Sequence, residues 1–405
     1  MKFIKRVSFL ALGVILCLSL MPAAASAESA IDLGGGVNAP YSIDRDGAVS
    51  VDLTWDIINS LLEAGENGEA AVTLGNIPGM IRAVFNISMR LPPTKIQMNA
   101  LKLTVNDRSV RLPYGLLTHL KIDGTLRFGV GGASATGDSI EFSVTDTKGV
   151  PVDYYNYEYP ITVSFPYHAP IDRNLFPVVA VQEYADGARV NPRSWYDYTD
   201  GKVYAKAYTT GLFEALYNGP SGFGDTISHW GRDAIEYAAA RGVVNGIGGN
   251  LFAPDGPVTR AQFMSMLIRT IDISPQGMWM VQQFADVPPD AYYYSDALKA
   301  KAFGIVSGVG DNLLKPDAPI TRQEMFVMLH NAMRKAEMLP PVMTDIWMVF
   351  SDWSLVSDWA GNEIQELARL GLANGTGGKI DPLGTATRAE AAQTVYNLLT
   401  RDSKF

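Results

Sequence analysis

The sequence predicts a multidomain protein: a mainly β, sandwich-like N-terminal region with few helices, followed by an all-α C-terminal module of three repeats. Two observations carry that expectation. Between 49 and 217, short alternating apolar runs are separated by turn-forming dipeptides, the pattern of strands joined by tight turns. Near the C-terminus one helix-opening pentad occurs three times, as Val258-Thr259-Arg260-Ala261-Gln262, Ile320-Thr321-Arg322-Gln323-Glu324 and Ala386-Thr387-Arg388-Ala389-Glu390.

At 405 residues the chain has room for two or three domains with their own cores. Residues 1–27 read as a secretory signal: Lys2, Lys5 and Arg6 are basic, 9–20 is apolar but short for a membrane span, and Ala25-Ser26-Ala27 is a small-residue cleavage site. Cys17, the one cysteine, lies inside the apolar stretch, so a chain starting at Glu28 has no thiol or disulfide chemistry. Without the three signal cations, 30 Lys+Arg face 42 Asp+Glu, a net charge of −12. That balance excludes bulk attraction to nucleic acid or anionic lipid, so any anionic ligand has to be met by local Arg or Lys. No later segment is long and apolar enough to be a transmembrane span, and retention at a surface is expected to be non-covalent.

Residues 28–47, rich in Gly, Ala, Ser and Asp, are expected as a lead-in to the β region at 48–219. Strands are expected at 49–53, 70–74, 84–89, 101–105, 126–130 and 139–144, with a helix at 55–62 from the spacing of Ile57, Ile58, Leu61 and Leu62. A strand at 161–165 is ended by Pro166, and 212–217 closes the region. The clearest hairpins flank Asp186-Gly187 and Asp200-Gly201, since a tight type I′ turn needs positive φ at both central residues. Tyr204, Lys206 and Tyr208 share one strand face, expected to be half-buried in preference to forming a sugar-stacking surface.

This half shows no catalytic constellation. Its histidines are His119 and His168, with no nucleophile elbow and no metal-ligand spacing. The Asp residues at 46, 123, 186 and 200 each precede Gly and are explained by turns. Asp44-Arg45-Asp46-Gly47 lacks the rest of a calcium loop. No catalytic residue, metal or cofactor is assigned, and the chain is expected to be non-enzymatic.

The C-terminal repeats span 220–275, 281–339 and 347–405. Each opens with Phe-x-Asp (Phe223 and Asp225, Phe284 and Asp286, Phe350 and Asp352), followed by Trp230, Tyr292 or Trp359. A helical run ends at Gly242, Gly304 or Gly371, the expected left-handed helix stop. An apolar pair leads to a second glycine, Gly246, Gly308 or Gly375, and a Pro-containing loop leads to the pentad. There, Thr three residues before Glu or Gln is a capping box opening a second helix. Arg in that first turn opposes the helix dipole, at about 0.3–1 kcal/mol, and calls for an anionic partner. Units too small to bury both helices alone are expected to stack on one another.

This order of residues resembles the S-layer homology (SLH) domain, present three times. The resemblance implies one body with pseudo-threefold helical packing, whose inter-unit grooves bind secondary cell-wall polysaccharide attached to peptidoglycan and bearing pyruvate ketals. Arg260, Arg322 and Arg388 would meet the carboxylates with paired hydrogen bonds. Trp230, Tyr292 and Trp359 would face sugar rings, and Gly246, Gly308 and Gly375 would allow close backbone approach. The alternative for each Arg is a structural ion pair with Asp225, Asp286 or Asp352 of a neighbouring unit. Gln262 in place of Glu, Tyr292 in place of Trp, Ala386 before its Thr, and one residue fewer before Arg388 depart from the pattern.

The expected function is non-covalent anchoring of an exported protein at the cell wall or S-layer of a Gram-positive type cell. One alternative is a wall-tethered extracellular glycan hydrolase with its catalytic residues in 28–219. The other is an adhesin or lattice-forming protein that self-associates in the surface layer.

Overall fold

A computed structural model describes residues 29–402 apart from 76, 91–95, 121–123, 133–137, 153–157, 169–176, 185–186, 273–279, 337 and 340–349. The signal segment and the central residues Asp123 and Asp186 of two expected turns lie outside the described residues.

The N-terminal region is mainly β. In chain order it holds β1 Ser29–Asp32, β2 Asn38–Ile43, β3 Ala48–Leu53, helix α1 Trp55–Ala64, β4 Glu69–Leu74, β5 Arg82–Ser88, β6 Ala100–Val105, β7 Arg108–Pro113, helix α2 Tyr114–His119, β8 Thr125–Gly131 and β9 Ser139–Thr145. It continues with β10 Ile161–Pro166, β11 Val178–Tyr184, β12 Gly187–Asn191, β13 Ser194–Asp197, β14 Lys202–Ala207 and β15 Gly211–Tyr217. Two sheets form, one in the order β1-β2-β3-β5-β8-β9-β15-β11-β12 and one in the order β13-β14-β10-β7-β6-β4. Alternation decides which residues point inward. Phe85, Phe128, Phe142 and Phe213 from the larger sheet and Val110, Phe165 and Val203 from the smaller one share a single fully buried core. The lead-in at 28–47 contributes β1 and β2 to the larger sheet. In the loop before β3, the Asp44 carboxylate accepts from the N–H groups of Asp46 and Ala48 at 2.9 Å, a turn role.

The C-terminal module holds α3 Arg232–Ala240, α4 Arg260–Ile271, α5 Tyr294–Ala302, α6 Arg322–Lys335, α7 Gly361–Arg369 and α8 Arg388–Asp402. Each first helix stops in the expected way. Gly242, Gly304 and Gly371 have φ of +68°, +67° and +70°, and the paired bonds Gly242 N–H to Ala239 O and Val243 N–H to Ala238 O are a Schellman motif. First helices pack on the preceding unit's second helix: α5 on α4, α7 on α6 and, closing the ring, α3 on α8.

The module is not all-α, which corrects the expected fold class. Short extended bridges join the units, pairing Thr259 with Pro319, Thr321 with Thr385 and Pro257 with Thr387. At their centre three backbone bonds form a closed ring: Val258 N–H to Ala386 O at 3.0 Å, Ala386 N–H to Ile320 O at 3.0 Å and Ile320 N–H to Val258 O at 3.1 Å. These three residues are 0% exposed, so their backbone groups must find partners inside the protein. Helical periodicity cannot reveal such pairing, because each bond joins residues from different units.

The two halves touch through polar contacts. The Tyr208 hydroxyl donates to Ile271 O at 2.7 Å, and the Arg241 guanidinium, stacked 3.3 Å from the Tyr237 ring centre, donates to Ser194 O at 2.9 and 3.1 Å. Tyr208, the residue after β14, is thus buried against the C-terminal module, while Tyr204 in the strand stacks on Trp195. Among the described residues no helix is long and apolar enough to cross a membrane.

Candidate functional site

The three pentads build one repeated device. Thr259 and Thr321 cap their helices in complete capping boxes with Gln262 and Glu324. In the third copy Thr387 N–H donates to Glu390 Oε2 at 2.8 Å and Glu390 N–H to Thr387 Oγ1 at 3.2 Å. The next orphan N–H groups of each helix donate to the following unit: Arg260 and Ala261 to Ala318 O and Pro316 O, Arg322 and Gln323 to Gly384 O and Pro382 O, and Arg388 and Ala389 to Gly256 O and Pro254 O.

The arginine side chains cross in the same direction. Arg260 Nε donates to Leu314 O at 2.9 Å and Nη1 meets Glu324 Oε1 at 2.7 Å. Arg322 Nε donates to Ile380 O at 2.9 Å, its Nη2 to Asn374 O at 3.1 Å, and its Nη1 pairs with Glu390. Arg388 Nε donates to Phe252 O at 2.7 Å and Nη2 to Asn245 O at 2.8 Å. As whole residues, these arginines are only 5%, 8% and 6% exposed. The carboxylates facing two of them belong to the next unit's capping box. One oxygen of Glu324 or Glu390 caps its own helix while the other accepts from the neighbour's Arg. Sequence reasoning missed this double role, although Arg and Glu recur together in the pentad.

Asp225, Asp286 and Asp352 serve another purpose. Each accepts the two N–H groups that begin the loop before its pentad: Phe252 and Ala253, Leu314 and Lys315, Ile380 and Asp381, at 2.7–2.9 Å for the shorter contacts. Burial pushes the Asp225 and Asp352 carboxyls up, but this backbone donation outweighs it, and both end below the ordinary Asp value. Such groups add stability above the unfolded-chain pKa of about 3.9, and that contribution disappears as pH falls through the lower folded value. Asp272, at the end of α4, works the other way: burial raises its pKa to about 6, so its cost to stability is relieved as pH falls from about 6 to 4. The module's urea midpoint is therefore expected to rise slightly between about pH 6 and 4 and to fall below about pH 4, where Asp225 and Asp352 protonate. A midpoint that is insensitive to pH below about 4 would contradict this account.

Gly246, Gly308 and Gly375 are enforced by close approach. An added Cβ would lie 2.7, 2.6 and 2.2 Å from the carbonyl oxygens of Leu251, Leu313 and Lys379. The aromatics stand outside: Trp230, Tyr292 and Trp359 are 62%, 65% and 54% exposed.

A second site lies on the outer face of the larger sheet. Arg82, Gly131 and Glu141 sit side by side on β5, β8 and β9, with Val84, Gly129 and Ser143 in the next row and Arg127 beyond. Two glycines on one strand face leave a trough of about 210 Å³. Among the described residues, Arg82, Arg127 and Glu141 form no ion pair. Among the described residues Glu141 is the one carboxylate lining the trough, whereas glycoside hydrolysis commonly uses two. His168 pairs with Asp138 at 2.5 Å, and His119 lies 6.0 Å from the Tyr159 ring.

Comparison with known proteins identifies the C-terminal architecture. The S-layer homology domain matches residues 222–264, 283–326 and 349–392, so the chain carries three such domains. It is 34% identical over 213 residues to an amylopullulanase of Thermoanaerobacterium thermosulfurigenes, which covers 50% of this chain and 11% of that protein. It is 31% identical over 226 residues to the exoglucanase XynX of Acetivibrio thermocellus, covering 54% and 20%. It is 29% identical over 202 residues to the S-layer protein sap of Bacillus anthracis, covering 48% and 24%. The chain thus spans at most about a quarter of the length of these relatives. Relatives named as glycan-degrading enzymes overturn the expectation that the chain is non-enzymatic. The S-layer homology domains and S-layer relatives make it a secreted, cell-wall-anchored surface protein.

Proposed function

We propose that this wall-anchored surface protein works in extracellular glycan hydrolysis. In this reading its three S-layer homology domains hold it to an anionic, pyruvylated secondary cell-wall polysaccharide attached to peptidoglycan. The observation that carries the anchoring is the threefold module at 222–392, with an exposed aromatic and an inter-unit arginine repeated in every unit. The full chain is expected to pellet with isolated wall carrying the polymer; equal pelleting with polymer-stripped wall would overturn the reading.

The hydrolytic part is supported by the names of two relatives and by the trough on the larger sheet. There, two guanidiniums and a carboxylate with no ion pair among the described residues offer donors and acceptors to sugar hydroxyls. Incubation of the full chain with α-glucan, cellulose and xylan is expected to release reducing ends from at least one. No release from any of them would remove the hydrolytic part and leave the anchoring one standing.

A further inference from the structure

The three grooves are not electrically equivalent, because two departures from the repeat, in different units, fall beside the same arginine. Arg260 and Arg322 each end on a carboxylate of the following unit, Glu324 and Glu390. The same rotation carries Arg388 into the first unit, where the corresponding residue is Gln262. Gln262 keeps the cap, since its Oε1 accepts from Thr259 N–H at 3.2 Å, but it brings no charge.

Arg388 is consequently 6% exposed without an ion pair among the described residues. Its Nε and Nη2 are held by Phe252 O and Asn245 O, its guanidinium carbon lies 4.5 Å from the Phe252 ring centre, and Nη1 has no hydrogen-bond partner among the described residues. Burial lowers its pKa, which is the cost of a cation left without a counter-ion, while Tyr292 and Asp225 act in the opposite direction. Asp225 is already committed to the N–H groups of Phe252 and Ala253. Tyr292, contributed by the second unit, is the exposed ring that stands where the other units have Trp.

We propose that the groove between the third and first units, formed by Arg388, Gln262 and Tyr292, is the module's primary anion site. It takes a carboxylate-bearing saccharide of the wall polymer, while Glu324 and Glu390 fill the corresponding positions in the other two grooves. The inference rests on the reading that the module binds an anionic wall polymer. A sugar carboxylate at Arg388 Nη1 would supply the counter-charge that Gln262 withholds, with the Tyr292 ring beside the saccharide.

The test uses the full chain with pyruvylated and depyruvylated polymer fragments, read by calorimetric titration. The Gln262→Glu variant completes the third ion pair and is expected to weaken binding at least tenfold, with an unchanged or raised melting temperature. The Glu390→Gln variant retains its cap, as Gln262 does, and is expected to free Arg322 and raise the stoichiometry from one site to two. Wild-type affinity in Gln262→Glu, or unchanged stoichiometry in Glu390→Gln, overturns the groove assignment. Should Gln262→Glu fail to fold, the stoichiometry of Glu390→Gln decides alone. Equal binding of the two polymers by the wild-type chain defeats the anchoring reading itself, a different outcome from either of these.

Discussion

Truncation of Arg322 to Ala is expected to destabilise the C-terminal module by about 3–5 kcal/mol, the usual penalty for removing one member of a buried ion pair. The loss has identifiable parts. Glu390 would keep its bond to Thr387 N–H but lose the cation on its other oxygen, and Ile380 O and Asn374 O would lose their donors. These groups join the second unit to the third, so the damage falls on the seam between those two units. Arg388→Ala strands carbonyls but no carboxylate, and its cost is expected to be nearer about 1–3 kcal/mol. Urea denaturation of the two variants, followed by tryptophan fluorescence, makes the comparison. Equal losses would mean that the Glu324 and Glu390 contacts contribute nothing beyond the carbonyl bonds.

Replacement of Tyr292 by Ala is expected to leave stability within about 0.5 kcal/mol, since the ring is 65% exposed, and to weaken polymer binding about tenfold to a hundredfold, as for an aromatic hot spot. Trp230→Ala and Trp359→Ala, equally exposed, are expected to lose much less. Their grooves hold arginines already neutralised by Glu390 and Glu324, whereas Tyr292 lies within electrostatic reach of Arg388. Titration of the three variants against one polymer preparation separates these outcomes. Equal losses would mean that all three grooves share the load.

Much of the fold was legible because it depends on local bonds. Capping boxes link residues three apart, and the Schellman stops at Gly242, Gly304 and Gly371 link residues a few positions apart, so both follow from spacing. Strands β3 to β6, β8 and β9 were readable from alternation. β7 was overlooked even though Val110 and Leu112 alternate with Arg after an Asn106-Asp107 turn. Short β1 and β2, set among glycines, carried too little apolar signal to be distinguished from a loop.

The sequence by itself determined that the C-terminal half repeats three times, that each unit has a stopped helix and a capped helix, and that an arginine stands in every cap. It could not determine what the arginines face. That answer lies 52 to 143 residues away in another unit, and only closure of the ring brings the partners together. The same closure made the module more than a set of helices, because Val258, Ile320 and Ala386, buried at its centre, could satisfy their backbone groups only on one another. Gln262 read along the chain is a conservative variation within a cap. In the folded module it leaves Arg388 without the carboxylate that its two counterparts have, because there the partner is supplied by rotation from the neighbouring unit.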